Sequence, residues 1–319
     1  MELDSVRELK MAAMQVVATI PKGITAAGVV SRFVSLGVAA GSTSQGYRLA
    51  IRLQQDSLGT NAIVDRLKHI ARGEVDIRIT GRVRPAALAS PATARKRPIH
   101  IGSSVAHFNM TAGTLGAFVQ TDNDDSVHLL SNNHVIANSN ACGLQDSILQ
   151  PSPMDGGLQG DRVAGLANWI PLQTQGNLVD CAIAKLDPDV TYDAKNVPQI
   201  GPLGGVSTNP IYIGMPVSIF GRSSKMSDGK VTAFEMDNIL VGYPVGDLGF
   251  DGQIEIEGAR PDMPFAIHGD SGSLVMDKKR LAIGLLFAVS TNGGTNGLGL
   301  TYVNPIDSVL QALNAQILY

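Results

Sequence analysis

Three short segments, each set beside apolar residues of β character, hold the side chains that could activate a hydroxyl. In His268-Gly269-Asp270-Ser271-Gly272-Ser273-Leu274-Val275 a serine stands between glycines and runs into a strand, an arrangement that presents its hydroxyl to a carbonyl carbon. Ser131-Asn132-Asn133-His134-Val135-Ile136-Ala137 supplies a histidine, and Asn177-Leu178-Val179-Asp180-Cys181-Ala182-Ile183-Ala184 an aspartate. A serine hydroxyl is a weak nucleophile at neutral pH and needs a base within hydrogen-bond reach; an imidazole, with an unperturbed pKa of about 6.5, is suited to that task. A carboxylate on the far ring nitrogen fixes the tautomer and stabilises the imidazolium that forms. His134 is therefore expected as base and then acid, Asp180 as its partner, and Ser271 as nucleophile, with the amides of Gly269 and Ser271 facing a developing oxyanion. Taken singly, each segment has a plainer meaning: Gly-Asp-Ser-Gly also forms turns, and an aspartate ahead of an apolar strand is usually a turn residue. His69, His100, His107 and His128 lack comparable surroundings and are expected at surface or packing positions.

Asp180 follows His134 by 46 residues and Ser271 follows Asp180 by 91, which leaves room for several strands between them. Gly221-Arg222-Ser223-Ser224 with Gly229-Lys230-Val231 adds a fourth motif. On these four, residues from about 102 to 319 resemble the trypsin/chymotrypsin-like serine peptidases, most nearly bacterial members without disulfides. The resemblance implies a mainly β fold, a chymotrypsin-like double antiparallel β-barrel with a C-terminal helix and the site between the barrels, cleaving peptide bonds through an acyl-enzyme. It also places Phe265, six positions before the nucleophile, at the floor of the primary pocket. An apolar floor offers no carboxylate to Arg or Lys, so small or apolar side chains are expected there. Ala288, Val289 and Ser290 would form the strand that pairs with substrate backbone, while His268 either touches substrate or is simply exposed. In activated relatives the aspartate at position 270 pairs with a new N-terminus. Ile99 and Ile101 follow a basic cluster here but open no Ile-Val-Gly-Gly start, so constitutive folding is expected over zymogen cleavage. An α/β-hydrolase is disfavoured, because Ser273 breaks the G-x-S-x-G pattern and Leu274-Val275 continues as strand.

The elements that must hold these residues follow from length and patterning. With 319 residues the chain can bury a large core or divide in two, and 35 glycines among short Val/Ile/Leu runs suggest turns and strands. A net charge of -3, from 25 basic and 28 acidic residues, gives no electrostatic reason to expect nucleic acid or an anionic membrane as partner. Met1-Glu2-Leu3-Asp4 lacks a signal-like n-region, the apolar stretch 24–40 is too short and too polar to span a bilayer, and only Cys142 and Cys181 are present. The expectation is a soluble cytoplasmic protein whose two cysteines are small buried hydrophobes rather than nucleophiles. No metal or cofactor motif is present, since His-Glu-x-x-His, paired Cys-x-x-Cys and a phosphate-loop spacing are all missing.

Residues 1–81 read as a small α+β domain: a helix over Ser5 to Val17, strands over Val29 to Val38 and Tyr47 to Gln54, a helix over Thr60 to Ala71 and a strand over Val75 to Ile79. Residues 82–103, rich in Pro, Ala and basic side chains, read as a linker; cleavage there with release of activity stays open as an alternative. Residues 104–319 form the barrel domain, closed by a helix that Asn304 would cap and Pro305 would begin. Function is expected to be serine endopeptidase action on a protein or peptide substrate, with the N-terminal domain regulating access, mediating homo-oligomers or binding a partner. The competing expectation is a scaffold or binding protein that keeps the fold with little turnover, and an esterase would turn over esters without cleaving peptides.

Overall fold

The structure is a computed structural model and describes residues 1–19, 31–41, 46–55, 57–86, 94–122 and 124–319, without side chains for 58–60. Val6, Ala13 and Val17 recur at helical spacing and are buried, and α1 forms over Leu3–Ala18. β1 (Val34–Ala40) and β2 (Tyr47–Leu53) pair antiparallel from Val34 opposite Leu53 to Ala40 opposite Tyr47. The second helix, α2 (Leu58–Ile70), then carries the chain back so that β3 (Val75–Ile79) lies parallel to β2, a connection that needs a crossover helix. Both helices cover one face of this sheet: Ala13, Val17, Ile63 and Leu67 pack on Val34, Leu36, Leu49 and Ile51. The expected first strand therefore starts at Val34, after a short 3-10 turn over Ser31–Phe33; its predicted beginning at 29–30, and the turn at 42–45, lie outside the described residues.

Part of the expected linker is a strand. Val83–Pro85 forms β4, with Val83 and Ala86 fully buried, while 87–93 lie outside the described residues. The basic run beyond is engaged with the first barrel: Arg95 Nε lies 3.0 Å from Asp161 Oδ1, and the Lys96 amide donates to Gln150 Oε1 at 2.9 Å.

The first barrel is a curled, open sheet. Its strands are β5 (Ser104–His107), β6 (Gly113–Thr114), β7 (Ala117–Thr121), β8 (Asp124–Ser131), β9 (Ser147–Leu149), β10 (Arg162–Trp169) and β11 (Ala182–Leu186). The second barrel uses β12 (Pro216–Gly221), β13 (Lys225–Asp237), the hairpin β14 (Ile239–Tyr243) and β15 (Gly246–Phe250), β16 (Gln253–Gly258), β17 (Leu274–Asp277), β18 (Leu281–Ser290) and β19 (Thr301–Pro305). Pairings β18 to β17 to β12 to β13 to β16 to β19 and back to β18 close a six-stranded ring, while β14 and β15 stand outside it. Helix α4 (Ile306–Leu313) follows, and β20 (Ala315–Ile317) returns to pair with β7 on the first sheet.

Two apolar cores fill the barrels. Phe118, Leu129, Leu130, Val135 and Ile183 belong to the first, and Val217, Ile219, Val231, Ile256, Val275 and Leu286 to the second. Each such side chain contributes on the order of 1.5–3 kcal/mol by leaving water. The N-terminal sheet does not close on itself: β1 pairs antiparallel with β13, Val38 opposite Phe234 and Ala39 opposite Ala233, so β1–β3 continue the second barrel's sheet. Among the described residues, no helix is long and apolar enough to cross a membrane.

Candidate active site

His134 sits in the single-turn helix α3 (Asn133–Ile136), which leaves the end of β8 and sinks into the first core through Val135 and Ile136. Its Nδ1 faces Asp180 Oδ2 at 2.5 Å, and its backbone amide donates to Asp180 Oδ1 at 3.2 Å. Because a carboxylate can only accept, the hydrogen-bond network assigns the proton to Nδ1 and leaves Nε2 as the acceptor. Asp180, just ahead of β11, is fully buried and closely held. Tyr243 Oη donates to Oδ2 at 2.6 Å, the Asn304 side-chain oxygen accepts the Asp180 amide at 3.0 Å, and Asn132 Nδ2 donates to the Asp180 carbonyl at 2.7 Å. Burial, and then the Asp180 charge, push the Tyr243 phenol well above its usual range, so it remains a donor. Its ring meets the His134 imidazole edge to face, with centroids 5.6 Å apart.

Ser271 lies in the turn before β17, and this turn is pinned from both barrels. Its carbonyl accepts from the Thr114 amide at 2.8 Å, and Thr114 Oγ1 donates to the Gly269 carbonyl at 2.9 Å. Asp270 reaches the other way and accepts the Ser223 amide at 2.8 Å, the Ser224 amide at 3.0 Å and the Ile267 amide at 2.9 Å. The Gly221-to-Ser224 motif thus supplies the donors that satisfy this carboxylate without a free N-terminus, and burial raises its pKa despite them. The neighbouring Arg222 crosses to the first barrel and binds Asp155 through Nε at 2.7 Å. Gly272 has φ +92, and a Cβ there would stand 2.2 Å from Ser131 Oγ and from the Thr114 carbonyl oxygen. Only glycine lets the serine turn pack so closely on the histidine-bearing segment.

Ser271 Oγ and His134 Nε2 are not hydrogen-bonded to each other. Ser271 Oγ donates to the Phe287 carbonyl at 3.2 Å, and His134 Nε2 is buried with no hydrogen-bond partner.

The amides of Gly269, at φ +103, and of Ser271 converge on one oxygen, the carbonyl of Ala86; the Ser271 contact is 3.5 Å. Ala86 is reached along β4, which runs antiparallel to β18 with Pro85 opposite Ala288, Arg84 opposite Val289 and Val83 opposite Ser290. The Ala86 amide donates to the Phe287 carbonyl at 3.4 Å, and His268 Nδ1 lies 3.2 Å from the Pro85 carbonyl. The Ala86 methyl belongs to the same buried cluster as Phe265, Val217 and Val275. Gly269, Ser271, His268, Phe265 and Ala288 to Ser290 are thereby gathered around one segment of the chain itself, while His134 and Asp180 meet each other.

The sheet order, with its closed six-stranded ring beside a curled half-barrel, is shared with known structures. A glutamic acid specific serine protease, described as utilizing a novel histidine triad in substrate binding, superposes with a TM-score of 0.50 at 15% identity, over 69% of this chain and 100% of that one. The fold is that of the chymotrypsin-like serine proteases. Nocardiopsis protease (TM-score 0.49, 15% identity, 70% of this chain and 100% of that one) and Thermobifida fusca protease A (0.48, 14%, 70% and 99%) are also similar. No protein-family model matches the chain, and no match was found among curated proteins.

In this chymotrypsin-like frame two residues near Asp180 escape the sequence reading. Tyr243 ends β14 and carries no local signal beyond strand alternation. Asn304, expected as the cap of α4, makes no cap: Pro305 takes that position, and Asn304, still in β19, turns inward to Asp180 and donates from Nδ2 to Gln253 Oε1 at 2.6 Å. Of the two cysteines expected to be buried, Cys181 is, and Cys142 is only half-buried. Burial and then Asp146 raise the Cys142 thiol to about 11, while burial and then Asp180 push Cys181 well above its usual value. Among the described residues, no group of three or more His, Cys, Asp or Glu is placed to hold a metal ion.

Proposed function

We propose that the protein is a serine endopeptidase. In this reading Ser271 Oγ attacks a peptide carbonyl, His134 Nε2 takes its proton and returns it to the leaving amine, and water then cleaves the acyl-enzyme by the same relay. Asp180 holds the imidazole, with Tyr243 and Asn304 as positioning residues behind it. The Gly269 and Ser271 amides stabilise the oxyanion, a contribution of about a hundredfold to a thousandfold in rate for each donor. Substrate backbone pairs with Ala288 to Ser290, and a small or apolar side chain enters beside Phe265. Residues 1–81 act as a unit that governs access to this cleft. The single observation that carries the reading is the convergence of two backbone amides on the carbonyl of an extended segment, at the turn that bears the serine.

Labelling with a fluorophosphonate probe, and assay of untreated protein on Pro-Ala peptide anilides, test this. The wild type is expected to label and to release anilide, and Ser271→Ala to do neither, with turnover down by about a thousandfold or more. Anilide release that survives Ser271→Ala, or ester turnover with no peptide cleavage, contradicts the endopeptidase assignment.

A further inference from the structure

Resting on the endopeptidase reading, we propose that the chain is its own substrate and cleaves its Ala86–Ala87 peptide bond in cis. Residues 83–86 meet the polar groups of this cleft along their backbone. The backbone of Val83 to Pro85 forms the ladder with Ser290 to Ala288, and Val83 is bracketed on its other side by Val241 of β14. The Ala86 amide is held by the Phe287 carbonyl, the same oxygen that receives Ser271 Oγ–H. The Pro85 carbonyl is met by His268, and the position of Pro85 asks for no backbone donor. The Ala86 carbonyl oxygen lies on the Gly269 and Ser271 amides, which polarise it as an oxyanion hole polarises the bond it selects. The Ala86 side chain, fully buried in an apolar cluster, has the size that cluster admits.

The reaction balances within the chain and water. Ser271 Oγ bonds to the Ala86 carbonyl carbon, its proton passes through His134 Nε2 to the Ala87 nitrogen, and the C–N bond breaks. Water then hydrolyses the ester, leaving a carboxylate on Ala86 and a new N-terminus at Ala87. The geometry favours the intramolecular route, because β3 ends at Ile79, four residues before Val83, and is anchored through β2 and β1 to β13 of the same barrel. The Pro-Ala sequence in the cleft also names the substrate class: proline followed by alanine on the acyl side.

Intact-mass spectrometry of the full-length chain is the test, run with wild type, Ser271→Ala and Ala86→Asp, and with tagged Ser271→Ala mixed into excess wild type. Wild type is expected as two pieces, 1–86 and 87–319, and Ser271→Ala as one, uncut even in the mixture. Ala86→Asp, which puts a carboxylate into an apolar pocket, is expected to be cut at least about tenfold more slowly. Cleavage of the tagged Ser271→Ala chain in the mixture overturns the cis route. A wild type that stays whole while labelling with fluorophosphonate and hydrolysing a Pro-Ala anilide overturns self-cleavage but leaves the endopeptidase standing. If wild type stays whole and unlabelled while Ala86→Asp labels, residues 83–86 are a plug and not a substrate. Absence of labelling in both removes the endopeptidase reading and this inference together.

Discussion

Tyr243 and Asn304 show how much of a site can rest on residues remote from it in sequence: they lie 63 and 124 positions from the carboxylate they serve. Hydrogen bonds to a charged acceptor are worth about 1.5–3 kcal/mol. Tyr243→Phe removes one and keeps the ring, so kcat on a Pro-Ala anilide is expected to fall roughly ten- to a hundredfold, following that energy range, with KM little changed. The acid limb of the pH–rate profile should move, and the melting temperature should fall by several degrees with the lost buried hydrogen bond. A profile that keeps its shape while the melting temperature drops would mean that Tyr243 is packing alone. His134, Asp180, Ser271 and Gly269 stand out as candidates in the sequence because each sits in a short motif whose neighbours dictate its exposure. The tyrosine and asparagine do not, because alternation along a strand says which face a side chain takes and not what waits there. Asn304 beside a proline had the form of a cap, but the cap falls one residue later, on Pro305, and Asn304 stays in β19.

At the scale of elements, the N-terminal helices and strands could be read from periodicity, but their junction with the barrel could not, since β1 and β13 meet across roughly two hundred residues and neither strand's pattern specifies a partner. Charge completes the junction. Arg52 of β2 is buried and grips Glu255 of β16 through Nε at 2.7 Å and Nη2 at 2.8 Å, and its Nη2 lies 2.9 Å from Asp76 of β3. Burial alone would raise the Asp76 pKa, but Arg52, Arg78 and Arg48 together hold it below the ordinary value. A carboxyl that titrates lower in the folded state than the unfolded value of about 3.9 contributes stability that is complete above that pH and drains away as pH falls toward the folded value. Asp76→Asn is therefore expected to lower the melting temperature at neutral pH and to flatten its decline below about pH 4. An acid limb as steep as that of the wild type would assign the decline to other carboxylates.

For the whole molecule, the feature that matters is the unbroken sheet. Scission after Ala86 would leave residues 1–86 attached by the β1–β13 ladder, by Arg52 with Glu255, and by Lys10, whose Nζ lies 2.7 Å from Asp237 Oδ2. The two pieces are expected to elute together in gel filtration and to part only in denaturant; separate elution in buffer would show that the ladder is too weak to hold them. The basic and Pro/Ala-rich stretch had the composition of a linker, and composition could not reveal that four of its residues fill a cleft built two hundred positions later. A ligand carried on the same sheet as its receptor experiences a local concentration on the order of millimolar, fixed by geometry rather than by how much protein is present. Diluting the sample, which frees an enzyme from an inhibitor in solution, would leave this cleft as full as before. Any foreign peptide must displace a resident that cannot drift away.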